Sequence, residues 1–181
     1  MQEKQLLESC LRGEKEEFKK IVDRYSAQAM AMALNILRNR EDAEDACQEA
    51  FVQVYRNLQN FDFKKSFKNW FFTILYHRCL DQLKKKRSFT EFFKKTKNNS
   101  YESASNPPSN QLEQTLSQNL LSYLSPKERT VLYLWANEGY TAEEIGEILG
   151  CASSTARVYL FHARRKIKAL LEKKNVLLPN Y

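Results

Sequence analysis

The sequence predicts an all-α protein: two small helical domains joined by a flexible linker, the C-terminal one a helix-turn-helix. Three observations carry this. Apolar residues recur at gaps of three and four through most of the chain. A polar stretch holding Pro107 and Pro108 interrupts that rhythm in the middle. In the second half, Ser125 and Thr141 each stand three residues before a glutamate, the pattern of a capping box. The chain of 181 residues suits two small domains, expected at 1–87 and 120–181 with the linker at 88–119.

Taken in order, Gln2 to Arg12 reads as a short helix with Leu6, Leu7 and Leu11 on one side and Gly13 as its stop. A longer helix follows from about Glu14 to Arg38, its stripe built from Phe18, Ile21, Val22, Tyr25, Ala29, Met32, Ala33 and Ile36. Asn39 then caps a third helix, with Glu41, Asp42, Glu44 and Asp45 set against the positive end of the dipole. Ala43, Ala46, Cys47, Ala50, Phe51, Val54, Tyr55 and Leu58 form its inner stripe. Asp45, Gln48, Glu49, Val52 and Arg56 fall opposite, either as a solvated face or as a contact strip.

The fourth helix is expected to start at Ser66, to turn Phe67, Trp70, Phe71, Ile74 and Leu75 inward, and to end in Lys84, Lys85, Lys86 and Arg87. Four basic residues exceed what a helix dipole needs, and with Lys64, Lys65 and Lys68 they suggest a phosphate-facing surface. Beyond them, Phe89, Phe92 and Phe93 interleave further basic residues. Such rings can stack on single-stranded bases or anchor a linker to its neighbour.

Leu112, Leu116, Leu120, Leu121 and Leu124 suggest a lead-in helix to the second domain. The helix capped by Ser125 stops at Gly139, and the one capped by Thr141 turns at Gly150. A last helix, capped by Ser153 or Ser154, runs to about Lys174 with Ala156, Leu160, Ala163, Ile167 and Leu170 inward. Its other side carries Ser154, Arg157, Val158, Phe161, Arg165 and Lys168, with Arg164 at the edge. A basic helix in this position suits a major groove, where arginine grips guanine edges and the later lysines meet phosphate.

Composition narrows the function further. The net charge of +7 favours an acidic partner. No apolar run reaches the ~20 residues of a membrane span, and the N-terminus lacks a signal-peptide layout, so a cytoplasmic protein without membrane insertion is expected. Cys10, Cys47, Cys79 and Cys151 form no C-x-x-C pair, and His77 and His162 are the only histidines. No metal site, histidine-based catalysis or cofactor is therefore expected, nor is a nucleotide-phosphate loop, and the chain reads as a non-enzyme.

D-A-E-D-A-C-Q-E-A-F from Asp42 to Phe51, F-x-x-W at Phe67 and Trp70, and D-x-L-K-K-K-R from Asp81 closely resemble region two of bacterial sigma factors, best the short extracytoplasmic-function group. The stretch from Thr141 to Ile167 is similar to region four of the same family. The resemblance implies a factor that binds core RNA polymerase, directs it to promoters and stabilises the melted strand. An anti-sigma factor is a further candidate partner.

It also implies roles for particular residues. Asp45, Gln48, Glu49 and Val52 would meet the polymerase. Phe61, Phe63, Lys64, Lys65, His77, Lys84, Lys85 and Arg87 would hold the minus-ten strand, with His77 standing where asparagine is usual. Ser154, Thr155, Arg157, Phe161, His162, Arg164, Arg165 and Lys168 would meet the minus-thirty-five duplex. Val158, Tyr159 and His162 depart from the serine and arginines common there, so the target sequence does not carry over. The rival reading is a stand-alone helix-turn-helix regulator that binds duplex DNA as a dimer. A nuclease would need carboxylates clustered around a metal, whereas those from Glu41 to Glu49 are spread along one helix.

Overall fold

Asn39 decides how the N-terminal half is laid out. Its Oδ1 accepts from the backbone N–H of Asp42 at 2.9 Å, which caps one helix directly after Arg38 (φ 57°) has closed the one before. The computed structural model describes residues 2–96 and 120–173, and among these it shows no strand, a helical stretch at 120–122 and seven α-helices bounded within the described residues. They are α1 (Gln2–Leu11), α2 (Lys15–Leu37), α3 (Arg40–Asn57), α4 (Phe67–Thr96), α5 (Pro126–Asn137), α6 (Ala142–Leu149) and α7 (Ser153–Lys173), with a 3₁₀ turn at Leu58–Asn60.

α2, α3 and α4 pack on one another, and α1 lies against α2. The inner stripe of α3 is small: Ala43, Ala46 and Ala50 are fully buried, which lets the neighbouring helices approach closely. Aromatic rings fill the space that remains. Phe51 stacks on Phe71 at 4.8 Å, and Phe71 in turn meets Tyr25 and Phe67. Ser66 Oγ accepts from Asn69 N at 3.3 Å, so the residue at which α4 was expected to start stands just before its first turn, at Phe67. At the other end α4 continues through Thr96 instead of stopping at Arg87. Basic residues suit a last turn but do not end a helix, and no glycine or proline lies nearby to do so.

In the C-terminal half both capping boxes form, Ser125 with Glu128 and Thr141 with Glu144. Gly150 closes α6 at φ 66°, a conformation suited to glycine. Gly146 is required for a different reason: a Cβ there would lie 2.7 Å from the Cys151 carbonyl oxygen, so the turn into α7 can close only over a bare backbone. Neither Ser153 nor Ser154 is the capping residue of α7. The Ala152 carbonyl accepts the first helical bond, so α7 starts one residue before either serine could cap it. The expected lead-in helix is present from Leu120, while Leu112 and Leu116 lie outside the described residues.

α2 packs on α5 and α4 on α6, so the two halves touch. As a result α4 is buried on two sides. Besides the expected Phe67, Phe71, Ile74 and Leu75, it buries Phe72 and Tyr76, which no single stripe predicts.

Candidate functional site

The acidic face of α3 borders an open groove of about 830 Å³. Asp45, Gln48, Glu49 and Val52, the four residues read as a contact strip, all line it, and Val52 is 42 % exposed. The far wall belongs to α4, which contributes Arg78 and Lys85. Their nitrogens stand 3.9 and 3.6 Å from the Glu49 carboxylate, so the groove has one acidic and one basic wall. Arg78 was not singled out in the sequence. Its role depends on the register between α3 and α4, which helical periodicity does not fix.

The residues assigned to an unpaired strand divide into two sets. Lys64, Lys65, His77, Lys84, Lys85 and Arg87 are exposed. In the loop before α4, the Lys64 N–H donates to Asp62 Oδ1 at 3.0 Å, which fixes the turn that presents Lys64 and Lys65. Phe63 is half-buried. Phe61 corrects its assignment: it is buried at 7 % exposure against Phe67 and Trp70, with Phe63 packed on its edge. A ring enclosed in that way supports the loop and offers no face to a base. Trp70 sits in this cluster, as expected of a core residue, although it is only partly covered.

His77 Nδ1 lies 2.8 Å from the Thr73 carbonyl oxygen. A carbonyl only accepts, so Nδ1 carries the proton and the neutral ring offers Nε2 as an acceptor. Lys84 lies two turns further along the same stripe of α4. Several cations here are already engaged by acids of the chain itself. Lys84 pairs with Asp81 at 3.4 Å, Lys85 with Glu49, and Lys86 with Asp42.

On α7, Ser154, Arg157, Phe161, Arg164, Arg165 and Lys168 are exposed, and Thr155 and His162 are half-buried. The inward set behaves as expected: Ala156 and Ala163 are buried, and Leu160, Ile167 and Leu170 are partly so. Phe161 and Val158 are 60 % and 51 % exposed, apolar surface set among cations. Arg165 lies over the Phe161 ring at 5.6 Å, and Arg164 over Trp135 of α5 at 5.2 Å. Arg157 pairs with Glu143 of α6. Trp135 escaped the sequence reading, because only the packing of α5 on α7 brings it beneath Arg164.

Burial pushes the Cys47 thiol up to about 12 and that of Cys79 higher still, so both stay protonated and act as apolar filling. Among the described residues no group of histidine, cysteine, aspartate and glutamate could hold a metal ion. None of the described helices is long and apolar enough to cross a membrane.

Comparison with known proteins agrees with this geometry. The family models for sigma-70 region 2 and sigma-70 region 4 match residues 21–89 and 117–167. The chain belongs to the sigma-70 family. It is 27 % identical to the ECF RNA polymerase sigma factor SigW of Bacillus subtilis over 180 residues, covering 93 % of this sigma factor and 96 % of the relative. It is 26 % identical to the RNA polymerase sigma-H factor of Pseudomonas aeruginosa, covering 94 % of each. Among solved structures, the sigma factor RpoE of Bartonella quintana, in complex with the anti-sigma factor NepR, matches at 23 % identity. Its TM-score is 0.73, with 87 % of this chain and 98 % of that one covered. These relatives place the chain in the extracytoplasmic-function group.

Proposed function

We propose how this sigma factor, which binds core RNA polymerase and directs it to promoters for the start of transcription, divides that work between its surfaces. The groove bordered by Asp45, Gln48, Glu49 and Val52 seats an element of the polymerase. An exposed valine among charges suits a contact rim better than open water, because burying it against a partner removes apolar surface that the fold leaves wet. The exposed face of α7 enters the major groove of the upstream promoter element. Arg157 reads a base edge, while Arg165 and Lys168 hold phosphate. Phe63, Lys64, Lys65, His77, Lys84, Lys85 and Arg87 hold the melted strand.

The observation that carries this reading is the pairing of two unlike surfaces on one chain. One is a groove with an acidic wall and the other is a basic helix behind a helix-turn-helix bend. A stand-alone regulator has no need of the first. The chemistry belongs to the polymerase, and this factor works from the cytoplasm, where promoters lie.

Gel filtration with core polymerase, followed by run-off transcription on genomic fragments, tests the proposal. The chain should co-elute with core enzyme, and the new transcripts should start at a defined set of sites. Elution of the chain apart from core enzyme would end this reading.

A further inference from the structure

Arg164 differs from most cations of α7 in what holds it. Arg157, Lys166 and Lys168 each pair with a carboxylate, of Glu143, Glu128 and Glu172 in turn. Among the described residues the Arg164 side chain makes no ion pair and no hydrogen bond, and its contact is with the ring of Trp135, whose centroid lies 5.2 Å from Cζ. A ring face meets the charge but offers no oxygen, so the N–H donors of the guanidinium stay available for an acceptor from outside the chain.

Trp135 is not needed by the fold in the way its neighbours are. Val131 and Leu134 are fully buried and anchor α5, whereas Trp135 is 43 % exposed and stands outside the hydrophobic core. A ring of this size could contribute a large apolar gain if it were buried, and here much of it is left wet. What it does instead is hold an arginine. A long, free side chain loses rotamer entropy whenever it grips a ligand, and a ring that orders it beforehand removes part of that loss. Arg165 also lies over a ring, but Phe161 is one turn away on the same helix, so that contact is local. Trp135 comes from another helix, and the packing of α5 on α7 therefore sets where Arg164 is held.

We propose that Trp135 is a positioning residue for promoter binding: it holds the Arg164 guanidinium ready for a phosphate of the duplex that α7 enters. Its place favours phosphate over a base edge. Arg164 stands at the border of the outward side of α7, beside α5, whereas Phe161 lies nearer the middle of that side. A side chain at such a border meets the backbone that walls a groove before it meets the bases on the floor. The phosphate contact rests on the promoter-reading role proposed above, whereas the stack is a property of the chain alone.

Fluorescence of the full-length chain without polymerase tests the stack. In a Trp70→Phe background Trp135 is the one remaining tryptophan, and Arg164→Ala should raise the acrylamide quenching of its indole by uncovering the ring. Equal quenching with and without the arginine would overturn the stack. Promoter binding by the holoenzyme tests the positioning. Arg164→Ala should weaken binding about tenfold on all promoter sequences alike and lower the slope of log affinity against log salt by about one. Trp135→Ala should weaken binding about fivefold, and Trp135→Phe, which keeps a ring, should stay within about twofold of wild type. Added to Arg164→Ala, Trp135→Ala should weaken binding no further, because the ring acts through the arginine. Additive losses in the double variant, as a merely structural tryptophan would give, a Phe variant as weak as the Ala variant, or a loss confined to one base pair would overturn the proposal. Failure of the wild-type holoenzyme to bind any promoter duplex would remove the promoter reading and the phosphate contact with it, and the quenching result would still decide the stack.

Discussion

Arg157 on α7 is held by the carboxylate of Glu143 on α6, an ion pair between two exposed side chains. Pairs of this kind contribute little to stability, about 0 to 1 kcal/mol, so the arginine is easily released to a stronger acceptor. In the promoter-reading role proposed for Arg157, Glu143 competes with DNA for it. Arg157→Ala should cost about 1 to 3 kcal/mol on a cognate promoter and relax discrimination at one base pair. Glu143→Gln should tighten binding modestly, with the larger gain at low salt, where an added carboxylate repels phosphate most. Holoenzyme binding to promoter variants at fixed salt checks both. Uniform weakening across all sequences in Arg157→Ala would make that residue a phosphate contact.

Val52 is the sharpest probe of the groove proposed to seat polymerase, because its exposure separates binding from folding. Val52→Asp should leave the unfolding free energy within about 0.5 kcal/mol of wild type. Its affinity for core polymerase should nevertheless fall by about 2 kcal/mol, roughly thirtyfold, because the new carboxylate would be desolvated against the partner beside Asp45 and Glu49. Titration of core enzyme with labelled factor measures the second quantity and chemical denaturation the first. Equal affinity at equal stability would remove Val52 from the contact strip.

His77 makes a narrower prediction. With Nδ1–H committed to the Thr73 carbonyl, the neutral ring presents an acceptor and favours a base that offers an amino group. Asparagine presents both a donor and an acceptor. His77→Asn should therefore keep strand affinity within about 1 kcal/mol while broadening base preference, and His77→Ala should lose about 1 kcal/mol with bases that carry the amino group. Binding of the holoenzyme to melted-strand oligonucleotides, substituted one base at a time, reads this directly. An unchanged preference in both variants would place the ring outside the strand's path.

Much of this was legible in the sequence, and the part that was not has a common cause. Caps and stripes are local, so Asn39, Ser125, Thr141, Gly150 and the α3 alanines could be read from spacing alone. The outward strip Asp45, Gln48, Glu49 and Val52 followed from the same periodicity, since a buried stripe implies its opposite face. The burial of Phe72 and Tyr76 depends on contacts between elements distant in sequence, and that of Phe61 on how its loop folds back onto the start of α4. For the same reason Arg78 facing Glu49 and Trp135 beneath Arg164 could not be read from one helix. The basic run ending at Arg87 misled differently, because charge marks a favourable place for a helix to stop without making it stop there.

Glu128 ties the stability of the C-terminal half to pH. Its side chain is 7 % exposed, and burial by itself would raise its pKa. Lys166 at 2.8 Å and the capping bonds of Ser125 outweigh that, so the carboxyl is held below its ordinary value of 4.5. A lowered folded-state value contributes stability above about pH 4.5, which is lost as the pH falls through that folded value. Glu128→Gln should thus be less stable than wild type at neutral pH by about 1 to 2 kcal/mol, because it weakens one cap and removes one charge-assisted bond. Below pH 4.5 wild type should lose this advantage and the two curves should converge. Denaturation midpoints of both proteins from pH 7 to pH 3 measure the difference. A gap that stays constant across the range would mean that the glutamate acts by shape alone, with its charge and the Lys166 contact contributing nothing to the fold.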